Sequence, residues 1–251
     1  MTRTEWLELH EALGQHATNQ TFAAEAAERL INAVTASDLP DVYRLLSNDA
    51  AFMREVAAKA IAKIEGINAL TLLMTEMRRC ELGGFTNRVL SNIVIDLIAD
   101  NPTKAVVELD NMLQLISPQV RKDATWGLGQ LPIELAMPRL MLTMKDDHPD
   151  VRASSAIALK NFKDEWAIVA LAQLVRDPIE KVRVAAAVSL SHNTSRLALL
   201  ALESALSDPA EVVRLFARQA LTRAGGMSPQ SSSIKISVWQ SLQMKLQSKF
   251  R

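Results

Sequence analysis

The sequence is poor in cysteine, glycine and aromatic residues. Cys80 is the only cysteine among 251 residues, so no internal disulfide can form, and this fits a reducing compartment. Only 8 glycines are present, which is sparse for a sheet protein with many turns, and aromatic residues make up 4%. Because Ala and Leu are abundant among the 49% of hydrophobic residues, the composition favours helices.

The chain also lacks a net charge and a long apolar run. Lys+Arg and Asp+Glu number 28 each, so no overall field attracts nucleic acid or an anionic membrane. No stretch approaches the ~18–20 apolar residues that a membrane helix needs, and the first residues lack the apolar core of a secretory signal. We therefore expect a cytoplasmic protein without a transmembrane segment, and the charge balance does not favour a nucleic-acid partner.

A Val-Arg pair recurs every 31 residues, at 120–121, 151–152, 182–183 and 213–214. Four residues after each valine comes a small residue and eight after it a leucine, so the three share one helix face. A second apolar segment follows after a short turn, at 136–146, 167–177 and 198–208. Each repeat is therefore predicted to be a helix pair that buries its apolar face against its neighbours.

The repeats resemble the HEAT-like repeats first noted in phycobilisome bilin lyases. The stretches "VRKDATWGLGQL" and "AMPRLMLTM", with Gly129 and Pro138, carry the resemblance most closely. It is strong over 117–222, weaker over 21–116, and does not cover 225–251. Repeats and resemblance together predict an all-α, right-handed α-solenoid of about six to seven stacked helix pairs.

Three segments are expected along the chain. The solenoid, with an atypical N-terminal cap, is assigned to 1–226. The Gly-, Pro- and Ser-rich stretch 227–233 is assigned to a flexible linker. Residues 234–251 are predicted to form an amphipathic C-terminal helix.

The arginine of each Val-Arg pair is interpreted as structural rather than as a phosphate contact. We name the following residues the ladder: Arg121, Arg152, Arg183 and Arg214, with Asp146, Asp177 and Asp208. Each aspartate lies six residues before one of the arginines. The resemblance implies that these residues form hydrogen bonds between repeats and tie loops to helices.

No catalytic residue, cofactor or metal site is predicted. The four histidines lack the spacing of a metal pair on a helix, and no phosphate-binding loop or nucleophile motif is present. Asp123 and Trp126 come nearest to a reactive pair, since HEAT-like alkylpurine DNA glycosylases use Trp, Asp and Arg in a basic groove. No matching motif surrounds them here, and packing is the favoured role of Trp126.

The outward positions of the second helices are the predicted partner-binding surface. In HEAT-like solenoids the second helices line the concave face, and the repeat phase here gives that face few charges. The candidate residues are Arg139, Leu142, Val169, Ala170, Gln173, Leu200, Ala201 and Ser204. An exposed apolar strip is typical of a protein or peptide interface, whereas a phosphate-binding surface is rich in Lys and Arg.

The predicted C-terminal helix combines an apolar stripe with positive charge. The stripe is Trp239, Leu242, Leu246 and Phe250, and residues 227–251 contain four basic residues and no acidic one. Trp239 and Leu242 are therefore further partner-binding candidates. Three roles stay open for this helix: a cap on the last repeat, docking on a partner, and self-association with the acidic N-terminal region.

The sequence thus predicts a non-enzymatic scaffold or adaptor that binds a partner protein or peptide. Two alternatives belong to other classes. One is a bilin-lyase-like enzyme or its chaperone subunit, which only the resemblance implies. The other is a HEAT-like DNA-lesion binder or glycosylase, which a basic groove would favour.

Overall fold

The computed structural model describes residues 3–14, 20–79, 85–224, 244–245 and 248–249. All regular secondary structure in these ranges is helical, so the fold is all-α, as predicted. Two compact units divide the chain, Met1–Glu108 and Leu109–Arg251. Helix α7 (Pro102–Leu113) runs through the division.

The helices of the first unit pack against their neighbours along the chain and in the next pair. Its helices are α1 (Arg3–Gly14), α2 (Gln20–Ala33), α3 (Leu39–Leu45), α4 (Ala51–Glu65), α5 (Leu70–Arg79) and α6 (Phe85–Asp100). Helix α4 packs on α2 and α6, while α3 packs on α4 and α5 on α6. Gly66 ends α4 at a φ of 55°, a left-handed conformation that glycine adopts without strain.

The second unit repeats one arrangement of two helices. Its helices after α7 are α8 (Pro118–Leu128), α9 (Ile133–Thr143), α10 (Pro149–Leu159), α11 (Glu165–Leu174), α12 (Glu180–Leu190), α13 (Arg196–Ser204) and α14 (Glu211–Arg223). The first helices α8, α10, α12 and α14 stack in order. The second helices lie beside them, with α11 on α13. This stacking of helix pairs is that of an α-solenoid.

The Val-small-Leu stripe is the contact between stacked first helices. Val151, Ser155 and Leu159 are fully buried in α10, as are their equivalents in α12. Gly129 allows a close approach at the end of α8, because a Cβ there would lie 3.0 Å from the main chain of Ala158. The periodicity therefore identified the core correctly.

Polar side chains begin several of these helices. Asp164 accepts a hydrogen bond from the main-chain N–H of Trp166 at 2.8 Å, and Ser195 accepts one from Ala198 at 3.3 Å. Pro149 occupies the first turn of α10, where the missing N–H costs nothing. His148 accepts from Asp150 through Nδ1, so this histidine caps α10.

Candidate partner-binding face

The ladder arginines lie inside the turns between repeats. Arg152 donates from Nε and Nη2 to the Asp177 carboxylate at 2.7 and 3.0 Å, and from Nη1 to the carbonyl oxygens of Asp146 and Asp147 at 2.9 and 3.1 Å. Arg121 with Asp146 and Arg183 with Asp208 repeat this geometry. Each arginine thus binds the carboxylate 25 residues ahead, while the aspartate six residues before Arg152 or Arg183 contributes a main-chain oxygen.

Each ladder aspartate also accepts a main-chain hydrogen bond within its own turn. Asp177 accepts the main-chain N–H of Ile179 at 2.9 Å, and the other two accept equivalent bonds. The hydrogen bond from Arg121 is the main cause that lowers the pKa of Asp146 below its usual value. Burial is the largest influence on Asp177 and Asp208 and raises the pKa, but the arginine and main-chain donors outweigh it, so both pKa values are lowered.

Arg214 departs from the pattern at the end of the ladder. It donates from Nη1 to the carbonyl oxygens of Asp208 and Pro209, at 2.6 and 2.8 Å. The residue 25 positions further on is Trp239 instead of an aspartate. The three paired arginines therefore bind both a carboxylate and main-chain carbonyl oxygens, whereas Arg214 binds carbonyl oxygens.

We name the outward positions of α9, α11 and α13 the second-helix face. They are Pro138, Arg139 and Leu142; Val169, Ala170 and Gln173; and Leu200, Ala201 and Ser204. On α9 these positions are open to solvent, with Leu142 70% exposed. Arg139 is held by Asp110, whose carboxylate accepts its Nε and Nη2 at 2.7 Å each.

The prediction that Val169, Ala170, Leu200 and Ala201 point into an open groove is wrong. Val169 and Ala170 are 0% exposed, and Leu200 and Ala201 are also buried. Residues 167–171 of α11 and 198–202 of α13 are all buried, and five successive residues cover a whole helical circumference. The middle turns of both helices are therefore enclosed on every side. Gln173 and Ser204 keep access to solvent at the ends of the helices.

Part of the C-terminal segment lies against α11. The Lys249 Nζ is 5.2 Å from the centroid of the Trp166 ring, within the range of a cation–π contact. Met244, Lys245, Ser248 and Lys249 are helical and exposed. The candidates Trp239 and Leu242 and the expected linker 227–233 lie outside the described residues. Sequence reasoning missed Trp166, which lies two residues after the helix cap Asp164 and is one of only four tryptophans in the chain.

The candidate reactive pair, Asp123 and Trp126, lies in the first helix α8. Asp123 is buried and accepts a hydrogen bond from Gln119 Nε2 at 3.3 Å, and Trp126 beside it is half-buried. Across the described ranges, no cluster of three or more His, Cys, Asp or Glu side chains is placed to hold a metal ion. No helix in the same ranges is long and apolar enough to cross a bilayer.

Comparison with known proteins identifies the repeat type. Residues 106–191 and 136–222 match the HEAT repeats. No curated protein matches the chain. This match and the repeated ladder geometry show HEAT-like repeats over 106–222.

Three solved structures illustrate the likeness. Human deoxyhypusine hydroxylase in complex with glycerol is 19% identical over 86% of this chain and 83% of its own, with a TM-score of 0.43. An engineered protein is 19% identical over 90% and 72%, with a TM-score of 0.42. A designed armadillo repeat protein in complex with the peptide (KR)4 is 18% identical over 86% and 99%, with a TM-score of 0.39.

Proposed function

We propose that this chain is a non-enzymatic scaffold that binds a partner protein or peptide through its second-helix face. One observation carries the proposal. Leu142, Gln173 and Ser204 recur at intervals of 31 residues on this face, and Asn111 precedes them by the same interval on α7. All four side chains are uncharged and reach solvent, and Leu142 is a large apolar side chain exposed by 70%. A row of accessible, uncharged side chains on a rigid repeat is suited to contact with another polypeptide.

The positions of the charged groups support the same proposal. A surface that binds phosphates presents several Lys or Arg side chains to solvent. Here the guanidinium groups of Arg121, Arg152 and Arg183 bind carboxylates and carbonyl oxygens, and Arg139 binds Asp110. We place the scaffold in the cytoplasm, because a single cysteine fits a reducing compartment.

The test is site-specific cross-linking in the cells that express the protein. A photoreactive amino acid replaces Leu142 or Gln173 in the full chain, and mass spectrometry identifies the captured proteins. The matched control places the same amino acid at Ile157, which is 52% exposed on the first helix α10. We expect one protein to be captured from both second-helix positions and not from Ile157.

A substitution at Leu142 then tests whether the second-helix face binds the captured partner. Leu142→Asp should weaken binding of that partner by about tenfold or more, because a charge replaces an apolar contact. Its melting temperature should stay unchanged, since Leu142 is largely exposed. Equal capture from Ile157, or unchanged affinity of Leu142→Asp, would move the binding site away from the second-helix face.

A further inference from the structure

We infer that this chain binds a second copy of itself, through one side of α14 in one copy and the groove between α1 and α2 in the other. The α14 face consists of six exposed residues on one side of that helix: Val212, Leu215, Arg218, Gln219, Thr222 and Arg223. The acidic groove is lined by Glu8 and Glu11 of α1 and by Phe22, Glu25 and Arg29 of α2. This association goes beyond the proposed function, because no residue of the second-helix face takes part in it.

The first argument concerns the side of α14 that its equivalents use for stacking. Ser154 of α10 donates to the carbonyl oxygen of Lys122 in the preceding first helix, so Ala156, about 200° further round the helix, faces the following one. Ala156 and its equivalent Ala187 in α12 are 0% exposed. The equivalent position in α14 is Arg218, which is exposed. A guanidinium does not fit where an alanine makes so close a helix contact, so this side of α14 is suited to another kind of contact.

The second argument is that the α14 face exposes large apolar side chains. Val212 and Leu215 are 44% and 43% exposed. They are three residues apart, so they lie side by side on the helix. Arg218 and Arg223 flank them, and the exposed Glu211 precedes them in the first turn. An apolar centre with a charged rim is the layout of a protein–protein interface.

The acidic groove has the complementary layout. It has a volume of about 320 Å³ and lies between two packed helices. Buried alanines line it, together with Phe22, which is 44% exposed and presents an aromatic ring at the surface. Glu8, Glu11 and Glu25 supply three carboxylates against the single guanidinium of Arg29. The groove thus combines an apolar lining with negative charge.

The charges select a second copy as the occupant of the α14 face. The face has two arginines, with one glutamate beside it, whereas the groove has three glutamates and one arginine. The signs therefore match in both directions, with the α14 arginines against the glutamates of the groove and Glu211 against Arg29. Such complementarity favours the right partner in the right orientation. Since the whole chain has no net charge, the attraction acts between these two surfaces and not between the molecules as a whole.

Sedimentation velocity of the isolated full chain at increasing concentration tests the association. We expect the mean sedimentation coefficient to rise across the micromolar range and to rise less in high salt, because salt screens the charges on the rims. The contact joins two different surfaces, so each pair keeps one unused face and one unused groove. Species larger than a dimer should therefore form at the highest concentrations.

Two charge reversals locate the contact. Arg218→Glu should weaken the association at least ~10-fold, because it places like charges opposite each other. Glu25→Arg should have the same effect from the side of the groove. Arg176→Glu is the matched control, because Arg176 is exposed just after α11, and it should leave the association unchanged.

An equimolar mixture of the two variants separates charge matching from damage to either surface. Each variant alone opposes like charges in every contact. In the mixture, the Arg218→Glu face meets the Glu25→Arg groove, and the two unsubstituted surfaces meet each other. The mixture should therefore associate at least ~10-fold more tightly than either variant alone.

A substitution in the apolar centre gives an independent measurement. Leu215→Asp should weaken the association at least ~10-fold, whereas Ile157→Asp, at a position 52% exposed on α10, should not. Far-UV circular dichroism checks that every variant is folded. A sedimentation coefficient independent of concentration, a mixture that stays monomeric, or an effect of only one charge reversal would overturn the inference. Because no other protein enters these measurements, their failure would leave the cross-linking from Leu142 as a separate test of the scaffold.

Discussion

Removal of the Arg183 guanidinium tests the structural role of the ladder most directly. In Arg183→Ala, Asp208 loses two hydrogen bonds of 2.7 and 3.1 Å, and the carbonyl oxygens of Asp177 and Pro178 lose their donor. The side chains of Arg183 and Asp208 are only 12% and 6% exposed. The carboxylate is therefore left charged in a nearly dry site, with the main-chain N–H of Ala210 as its remaining donor among the bonds of this turn.

The expected loss of unfolding free energy follows from this geometry. Breaking a buried ion pair by removing one partner costs about 3–5 kcal/mol. The bond from Ala210 reduces the penalty, so we expect the lower end, about 3 kcal/mol. Arg183→Lys should lose less than Arg183→Ala, because the ammonium keeps the charge but not the two parallel bonds.

Two further variants serve as controls. Arg214→Ala removes only bonds to two carbonyl oxygens, so it should cost about 1–2 kcal/mol. The double variant Arg183→Ala with Asp208→Asn should recover part of the loss, since asparagine leaves no buried charge and still accepts the N–H of Ala210.

Urea unfolding of the full chain, followed by far-UV circular dichroism, measures these differences. The ladder interpretation requires Arg183→Ala to cost clearly more than Arg214→Ala. A loss below about 1 kcal/mol, or equal losses for the two variants, would refute the reasoning that the paired carboxylate stabilises the turn. Partner binding through Leu142 should be nearly unaffected by either substitution.

Three other predictions concern stability. Leu159→Ala should cost about 2–5 kcal/mol in urea unfolding, as buried leucine deletions do, and a loss below about 0.5 would contradict its burial. Gly129→Ala should cost about 1–3 kcal/mol in the same assay because its Cβ would press on the main chain of Ala158, and a neutral result would contradict that close approach. The three ladder aspartates have lowered pKa values, so their stabilisation is complete above the ordinary carboxyl pKa near ~4 and is lost as pH falls through the lowered values. Melting temperature should therefore drop at acid pH, and Asp177→Asn should make that drop shallower.

The 31-residue period predicted the helix pairs because the first and the second helix of each repeat both recur with it. The apolar spacing of i, i+4 and i+8 defines the buried side of the first helix, and the next apolar segment defines the second. The predicted second segments, such as 136–146, begin and end about three residues later than α9 (Ile133–Thr143) does. The difference arises because Asp146 belongs to the turn, where its carboxylate accepts the N–H of His148.

Two features depend on contacts that spacing along the chain does not specify. The six-residue interval places an aspartate before an arginine in the sequence, but stacking brings the following turn to the guanidinium, so the carboxylate comes from 25 residues ahead. Helical phase likewise shows which side of α13 points away from its repeat neighbours. It does not show whether that side is open, and Leu200 and Ala201 on it are buried.

The buried part of the second-helix face gives a final prediction, about Leu200. If its side were open to solvent, Leu200→Glu would leave the fold unchanged and act only on binding. Because Leu200 is 7% exposed, the new charge must instead be buried or must disturb the packing around it, so the variant should lose more than about 2 kcal/mol. Leu142→Glu is the matched control on the neighbouring second helix, because Leu142 is 70% exposed, and it should cost less than about 1 kcal/mol. Urea unfolding of the two variants measures the difference. Equal small losses would mean that Leu200 is open to solvent and that its side of α13 is not part of the core.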